Sequence, residues 1–333
     1  MKLSGYTTTR NCVSMDYPFE ESISSLAEFC DEVVVMDSSD GSDATQDILS
    51  GLEKKYKGIV NVYHADIDWS APNHGIYDGA LKQAAREQCT GDVLWQSDVD
   101  EVVHKSDRQV LDNLVKQLNN LSQIPLLCVP VVEYWGSEEK VRIDINSWKW
   151  TVSRKDSDIT HGIPVTHRKT INGMLYARPG TDGCDYISKS TGRPLPNMNF
   201  ITEQSERTRM LALTNNEARD EYEKWFNQMV NGLPTVYHYS WFDIEKKIRN
   251  YREFWSNFWP ALYGEKPKYN NVFFDDVPWE HVTDEMIHQK AEELKKTGGH
   301  IFHKPYDGSI INHVKIDRKA PEIMDVWKGK HSK

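Results

Sequence analysis

Over its first hundred residues the chain alternates short apolar runs with amphipathic segments, and that alternation leaves few folds open. "MKLSGYTT" reads as a first strand. "YPFEESISSLAEFC" places Ile23, Leu26, Ala27 and Cys30 at helical spacing. "DEVVVMDSS" is a buried strand ending in a polar turn, and "ATQDILSGLEKKY" a helix with Asp43 as its expected N-cap. "GIVNVYHADID" is a strand, "IYDGALKQAAREQC" a helix with "TG" as its exit turn, and "DVLWQS" another strand. Alternating β and α units argue for a doubly wound, mostly parallel α/β sheet flanked by helices. Such sheets bind ligands beyond the carboxyl ends of their strands. Acidic residues follow three of these strands: Asp37, Asp66 with Asp68, and Asp98 with Asp100.

The 333 residues suit one large domain or two, and 38% hydrophobic with 27% charged residues predicts a packed core rather than disorder. A net charge of -10 offers a polyanion little uniform basic surface, so nucleic acid is not an expected partner. An anionic small ligand would need a local clamp or a metal ion. The five cysteines are scattered singly with no Cys-x-x-Cys pair, which fits free thiols in a reducing compartment. "MKLSGYTTTRN" holds no apolar targeting segment, and no apolar stretch reaches the roughly 18 residues of a membrane helix. The expectation is a cytoplasmic protein without an integral span.

"SDVDE" sets Asp98, Asp100 and Glu101 directly after Val93-Leu94-Trp95. Two like charges about 4 Å apart cost on the order of 4 kcal/mol at an effective dielectric near 20, so something must offset them. Mg²⁺ or Mn²⁺ is the simplest candidate, because both prefer oxygen ligands. The bland alternative is a solvated turn leading into the helix "DRQVLDNLVKQL"; the position at a strand end favours metal. In "MDSSDGSDAT", a calcium loop fails because aligning Gly41 to its sixth position puts Met36 at the first. Asp37 then either caps a strand-to-helix turn, accepts hydrogen bonds from a base or ribose, or does both.

The order of these parts resembles the family-2-like glycosyltransferases of the GT-A fold. The matching segments are the turn "TTTRN" after the first strand, "MDSSDGSDAT" after the second, and "LKQAAREQCTGDVLWQSDVDE". The resemblance covers residues 1 to 105 well and 235 to 242 suggestively. It implies a GT-A (Rossmann-like) sheet and a nucleoside-diphosphate sugar donor held by Thr8, Arg10, Asp37, Lys82 and Asp98. It further implies Mn²⁺ or Mg²⁺ held by Asp98, Asp100 and His238, the histidine of "VYHYSWF". Without the resemblance His238 reads equally as a core histidine. The second strand departs from the family pattern, ending "DSSDGSD" rather than in paired Asp before Gly. No Gln-x-x-Arg-Trp is present, so a polymerising cellulose- or chitin-type enzyme is not supported.

The rest of the chain is less regular. "IPLLCVPVVEYWG" is a strand or two. Residues 154 to 190 are rich in Gly, Pro, His and Arg and read as a lid. Within it, Asp182 and Asp185 are candidates for the base that deprotonates an acceptor hydroxyl, with turn capping the alternative; Glu133 is a third. His161 and His167 read as lid residues or exposed loop histidines, and Arg154 with Lys155 as a diphosphate contact or a solvated pair. "DIEKKIRNYREFWSNFWPALYG" puts Ile244, Ile248, Tyr251, Trp255 and Phe258 on one helical face. That face reads as core or as the interface of a homo-oligomer rather than a membrane anchor. "DEMIHQKAEELKK" is a later helix.

Together these features predict a catalytic domain over 1–243 and a C-terminal helical extension over 244–333. The predicted activity is metal-dependent glycosyl transfer to a carbohydrate or glycoconjugate acceptor. The alternatives are a sugar nucleotidyltransferase, which "GYTTTRN" with its one Gly and one Arg fits poorly, and a non-catalytic carbohydrate-binding module.

Overall fold

β-Branched side chains on both faces mark a strand covered on both sides. Val33, Val34 and Val35 lie in β2 (Glu32–Asp37), every residue of which is buried. β2 pairs in parallel with β1 (Leu3–Thr9) and with β3 (Val60–His64), and β1 in parallel with β4 (Val93–Gln96). The period of two sorts their side chains. Val33 and Val35 pack with α1 (Phe19–Phe29) and α2 (Thr45–Lys55), through Ile23, Leu26, Leu49 and Leu52. Tyr6, Val34, Met36 and Leu94 pack on the opposite face with Leu81 and Ala85 of α3 (Ile76–Gln88). Gly91, in the turn before β4, has to be glycine: a Cβ there would stand 2.6 Å from Ser4 Oγ and 2.8 Å from the Lys2 carbonyl oxygen.

The computed structural model describes residues 1–67, 69, 76–121, 123–145, 147–161, 170–171, 174–175, 186–191, 193, 195–255, 271, 273–274, 277–298 and 310–331. Beyond β4 the sheet loses its parallel pattern. β5 (Glu101–Val103) follows the acidic turn and leads to α4 (Arg108–Asn120). β6 (Leu126–Trp135) is a single ten-residue strand, and β7 (Trp148–Arg154) runs antiparallel between it and β4. Short pairs follow: β8 (Ile159–His161) with β11 (Tyr186–Ser188), β9 (Thr170–Ile171) with β10 (Met174–Leu175), and β12 (Asn197–Met198) against β6. β13 (Val236–Trp241) lies parallel to β6, and β5 returns antiparallel to β13. The order is β3-β2-β1-β4-β7-β6-β13-β5, the mostly parallel, helix-flanked α/β sheet expected of a GT-A-like chain.

Several local expectations change. The N-cap of α2 is Ala44, not Asp43. Asp43 sits one residue earlier, accepting from Thr45 N at 3.0 Å and Ser14 N at 2.8 Å, so it joins two loops instead of ending a helix. Residues 203–232, where the sequence reading places no element, form α5 (Glu203–Ala212) and α6 (Asn216–Gly232). Thr202 and Asn215 cap them through side-chain oxygens. α7 (Ile244–Asn250) buries Ile244 and Ile248 as its spacing predicts, then opens into a π turn over Tyr251–Trp255; Phe258 lies outside the described residues.

Residues 244 onward pack onto the sheet in two places. α7 and α8 (Asp284–Thr297) share an apolar cluster with Trp135 and Trp241. Val314, Met324 and Trp327 of α9 (Asp325–His331) and its approach share another with Val102, Val132, Tyr237 and Tyr239. Among the described residues no helix is long and apolar enough to cross a membrane.

Candidate active site

The carboxyl ends of β1, β2 and β4 stand side by side, and each ends in a polar residue. Asp37, at the end of β2, is fully buried. Its Oδ1 accepts from Thr9 Oγ1 and Ser39 Oγ, both at 2.7 Å; Gln46 Nε2 and His64 Nδ1 stand 3.3 and 3.2 Å from Oδ2. These contacts draw together the ends of β1, β2 and β3 and the loop into α2.

The turn after β4 holds its three acids by three different means. Asp98 Oδ1 faces the Lys82 ammonium at 3.1 Å and accepts from Gln96 Nε2 at 3.0 Å, while Oδ2 accepts from Lys149 Nζ at 2.9 Å. Lys149, on β7, also donates to both Glu101 oxygens at 2.7 and 2.8 Å. Glu101 in turn accepts from the Asp98 backbone N–H at 2.8 Å, closing the turn on itself. Burial would raise the Asp98 pKa, but the two lysine charges hold it well below the usual carboxylate range.

Asp100 points the other way. Its Oδ1 stands 3.3 Å from His238 Nε2, and its carbonyl accepts from Tyr239 N at 2.8 Å. His238 is brought there by the register of β13, which sets it opposite Glu101 on one side and Glu133 on the other. Its Nδ1 donates to Glu133 Oε2 at 2.5 Å. Burial favours the neutral ring, but the charges of Glu133 and Asp100 outweigh it and raise the His238 pKa well above its ordinary value. Burial likewise opposes charge on Asp100, yet His238 and then Lys247 bring it down to about 2. Glu133, one of the candidates for the base in the sequence, lies behind the imidazole.

Asp100 and His238 fit a divalent cation in donor type and spacing. Octahedral Mg²⁺ or Mn²⁺ with bonds of about 2.1 Å puts neighbouring ligand atoms about 3 Å apart, close to the separation seen. A metal-bound histidine almost always donates its other ring N–H to a carboxylate, a backbone carbonyl or water, and Glu133 stands where it would accept that bond. Among the described residues no set of three or more His, Cys, Asp and Glu side chains is arranged to hold an ion. The protein offers one oxygen and one nitrogen here, and the remaining ligands would come from diphosphate and water.

The other expected residues are dispersed. Thr8 is half-buried in β1 opposite Met36. Arg10, just beyond β1, stacks over Trp69 at 4.3 Å. Lys82 of α3 is 4% exposed and also pairs with Asp78 at 3.3 Å. Asp66 is exposed on the loop after β3, and Asp68, His167, Asp182 and Asp185 lie outside the described residues, as does most of the expected lid.

Two readings are corrected. His161 is neither a lid residue nor an exposed loop histidine: it is buried in β8, 2.7 Å from Tyr6 Oη. Arg154 and Lys155 neither meet a diphosphate nor stand free in water. Arg154 Nη2 donates to the carbonyls of Leu118, Leu121 and Ile124, and Lys155 Nζ to those of Arg86 and Glu87, so they satisfy the C-terminal ends of α4 and α3. Lys149 had no signal of its own, because a lone lysine in a strand declares no partner.

No protein-family model and no curated protein sequence matches the chain. Among solved structures it is similar to residues 1–349 of S. aureus TarS, at 15% identity and a TM-score of 0.34, covering 96% of this chain and 98% of that one. The complex of the same protein with UDP-GlcNAc gives 16% identity and 0.33 over 96% and 98%. A mannosyltransferase from Pyrobaculum calidifontis in complex with GDP-Man and Mn²⁺ matches at 15% and 0.31, over 47% of this chain and 48% of that one. At such distance the fold is carried by the strand order and the site by its own geometry.

Proposed function

We propose that the chain is a metal-dependent glycosyltransferase that moves a sugar from a nucleoside-diphosphate donor to a carbohydrate or glycoconjugate acceptor. The carrying observation is the Asp100–His238–Glu133 arrangement at the carboxyl edge of the sheet, where two metal-capable atoms stand 3.3 Å apart with the imidazole held from behind. Bound there, Mn²⁺ or Mg²⁺ would neutralise the charge that builds on the leaving diphosphate. The nucleoside would lie against the ends of β1 and β2, near Thr8, Arg10 and Asp37. Lys82 and Asp98 would face the diphosphate side, and Asp182 or Asp185 would take the acceptor proton. Residues 1–243 would form the catalytic unit and 244–333 its extension.

The neighbours' ligands support the donor class, since one is a complex with UDP-GlcNAc and another with GDP-Man and Mn²⁺. The test is a panel of nucleotide sugars with released diphosphate as the readout, run with Mn²⁺, Mg²⁺ or chelator. Asp100→Ala should lose the metal-dependent signal while retaining the fold. Full activity in chelator, or in folded Asp100→Ala, overturns the reading.

A further inference from the structure

Three carboxylates stand within four residues, and the structure shows what separates them. Lys149 reaches across from β7 and spans Asp98 and Glu101, while Asp100 is turned to His238 on the far side of the turn. We propose that Lys149 is a positioning residue that withholds Asp98 from the metal, so that Asp100 is the only carboxylate of the turn to act as a ligand. This rests on the metal-dependent reading above and extends it to a residue that does not touch the ion.

The geometry carries the proposal. Lys149 is 9% exposed, and its ammonium lies within 2.9 Å of three carboxylate oxygens on two residues. Lys82 holds the remaining Asp98 oxygen. An ammonium at hydrogen-bond distance occupies a lone pair of that oxygen and repels a second cation brought beside it, so a metal ion there would meet that repulsion or cost a charge-assisted hydrogen bond. Lys149 comes from a central strand fixed between β4 and β6, so it does not swing aside as a surface lysine would. Glu101 supplies the counter-charge that keeps the ammonium in place, which accounts for the third acid.

Removing Lys149 alone would strand Glu101 as a buried charge and risk the fold. The working variant is therefore Lys149→Met with Glu101→Gln, which deletes one charge of each sign and leaves the net charge of the turn unchanged. Mn²⁺ binding is titrated on the full chain by electron paramagnetic resonance, without donor. The double variant should bind Mn²⁺ about tenfold more tightly, because a freed carboxylate joins the ligands and charge count tunes such sites. Adding Asp98→Asn to it should return the affinity to the wild-type value, whereas Asp98→Asn in the wild type should change it little. If Asp98→Asn weakens Mn²⁺ binding in the wild type as much as Asp100→Asn does, Asp98 is already a ligand and the proposal falls. The same holds if the folded double variant binds like the wild type. A wild-type protein that binds no Mn²⁺ either alone or in the presence of UDP removes the metal-dependent reading together with this one.

Discussion

Glu133 touches His238 from behind, and that single contact fixes which imidazole nitrogen faces Asp100. Replacing such a carboxylate in known metal sites costs about 10- to 100-fold in metal affinity. Glu133→Gln should therefore weaken Mn²⁺ binding by that amount in a calorimetric titration while the far-ultraviolet circular dichroism stays unchanged; an unaltered affinity would make the contact merely structural. Asp37 presents the opposite case. Four protein donors converge on its buried carboxylate, so Asp37→Ala leaves several of them without a partner. Each buried unsatisfied group costs about 1–3 kcal/mol, and a total loss of about 3 kcal/mol is expected from urea denaturation. An unchanged nucleotide affinity in the folded variant would remove Asp37 from the proposed nucleoside site.

At the scale of elements, α9 is a clasp. His331 lies 3.2 Å from both Asp16, in the loop after β1, and Asp243, at the start of α7, and its ring stacks on Trp327 at 4.1 Å. Burial pulls the His331 pKa down, but the nearby carboxylates of Asp16 and Asp243 outweigh it and raise it above its ordinary value. A histidine with a raised folded pKa stabilises fully below about 6.5 and loses that contribution as pH rises through the folded value. Asp16 and Asp243 are held low, so their own contributions disappear only in acid, and Lys246, pushed down to about 8 by burial, titrates above the window. Urea denaturation at pH 6 and pH 7.5 should show a steeper decrease in wild-type stability than in His331→Gln, which retains the contribution of His238. Equal slopes in the two proteins would mean that the clasp does not titrate there.

For the molecule as a whole, the proposed site predicts a linked equilibrium. A nucleotide and a metal that bind the same folded site should stabilise it together, by about 2.7 kcal/mol when the free nucleotide is a hundredfold above its dissociation constant. UDP with Mn²⁺ should shift the denaturation midpoint upward, UDP with chelator far less, and Mn²⁺ alone only by its own binding. Shifts that simply add, with no excess for the pair, would separate the metal from the nucleotide site.

How much of this was legible in the sequence follows from the range of the interactions. The βα alternation fixed the parallel half of the sheet, because the periodicities that reveal β2 and α1 are the same ones that bury Val33 and Ile23. The acidic strand ends were visible for the same reason, as was the β13 segment with His238. The antiparallel half was harder. β5 has only three residues, and β7 shows its place only once β4 and β6 flank it. The capped helices α5 and α6 could have been found from Thr202 with Ser205 and from Tyr222, Phe226 and Val230 at four-residue spacing. What the acids do was decided by tertiary structure alone. Asp98, Asp100 and Glu101 look alike in sequence, and their different partners arrive from Lys82, Lys149 and His238, at 16, 51 and 138 residues from the aspartates they meet. Electrostatic pairing acts through space over a few ångströms, and no local pattern in a chain records which distant side chain will be there.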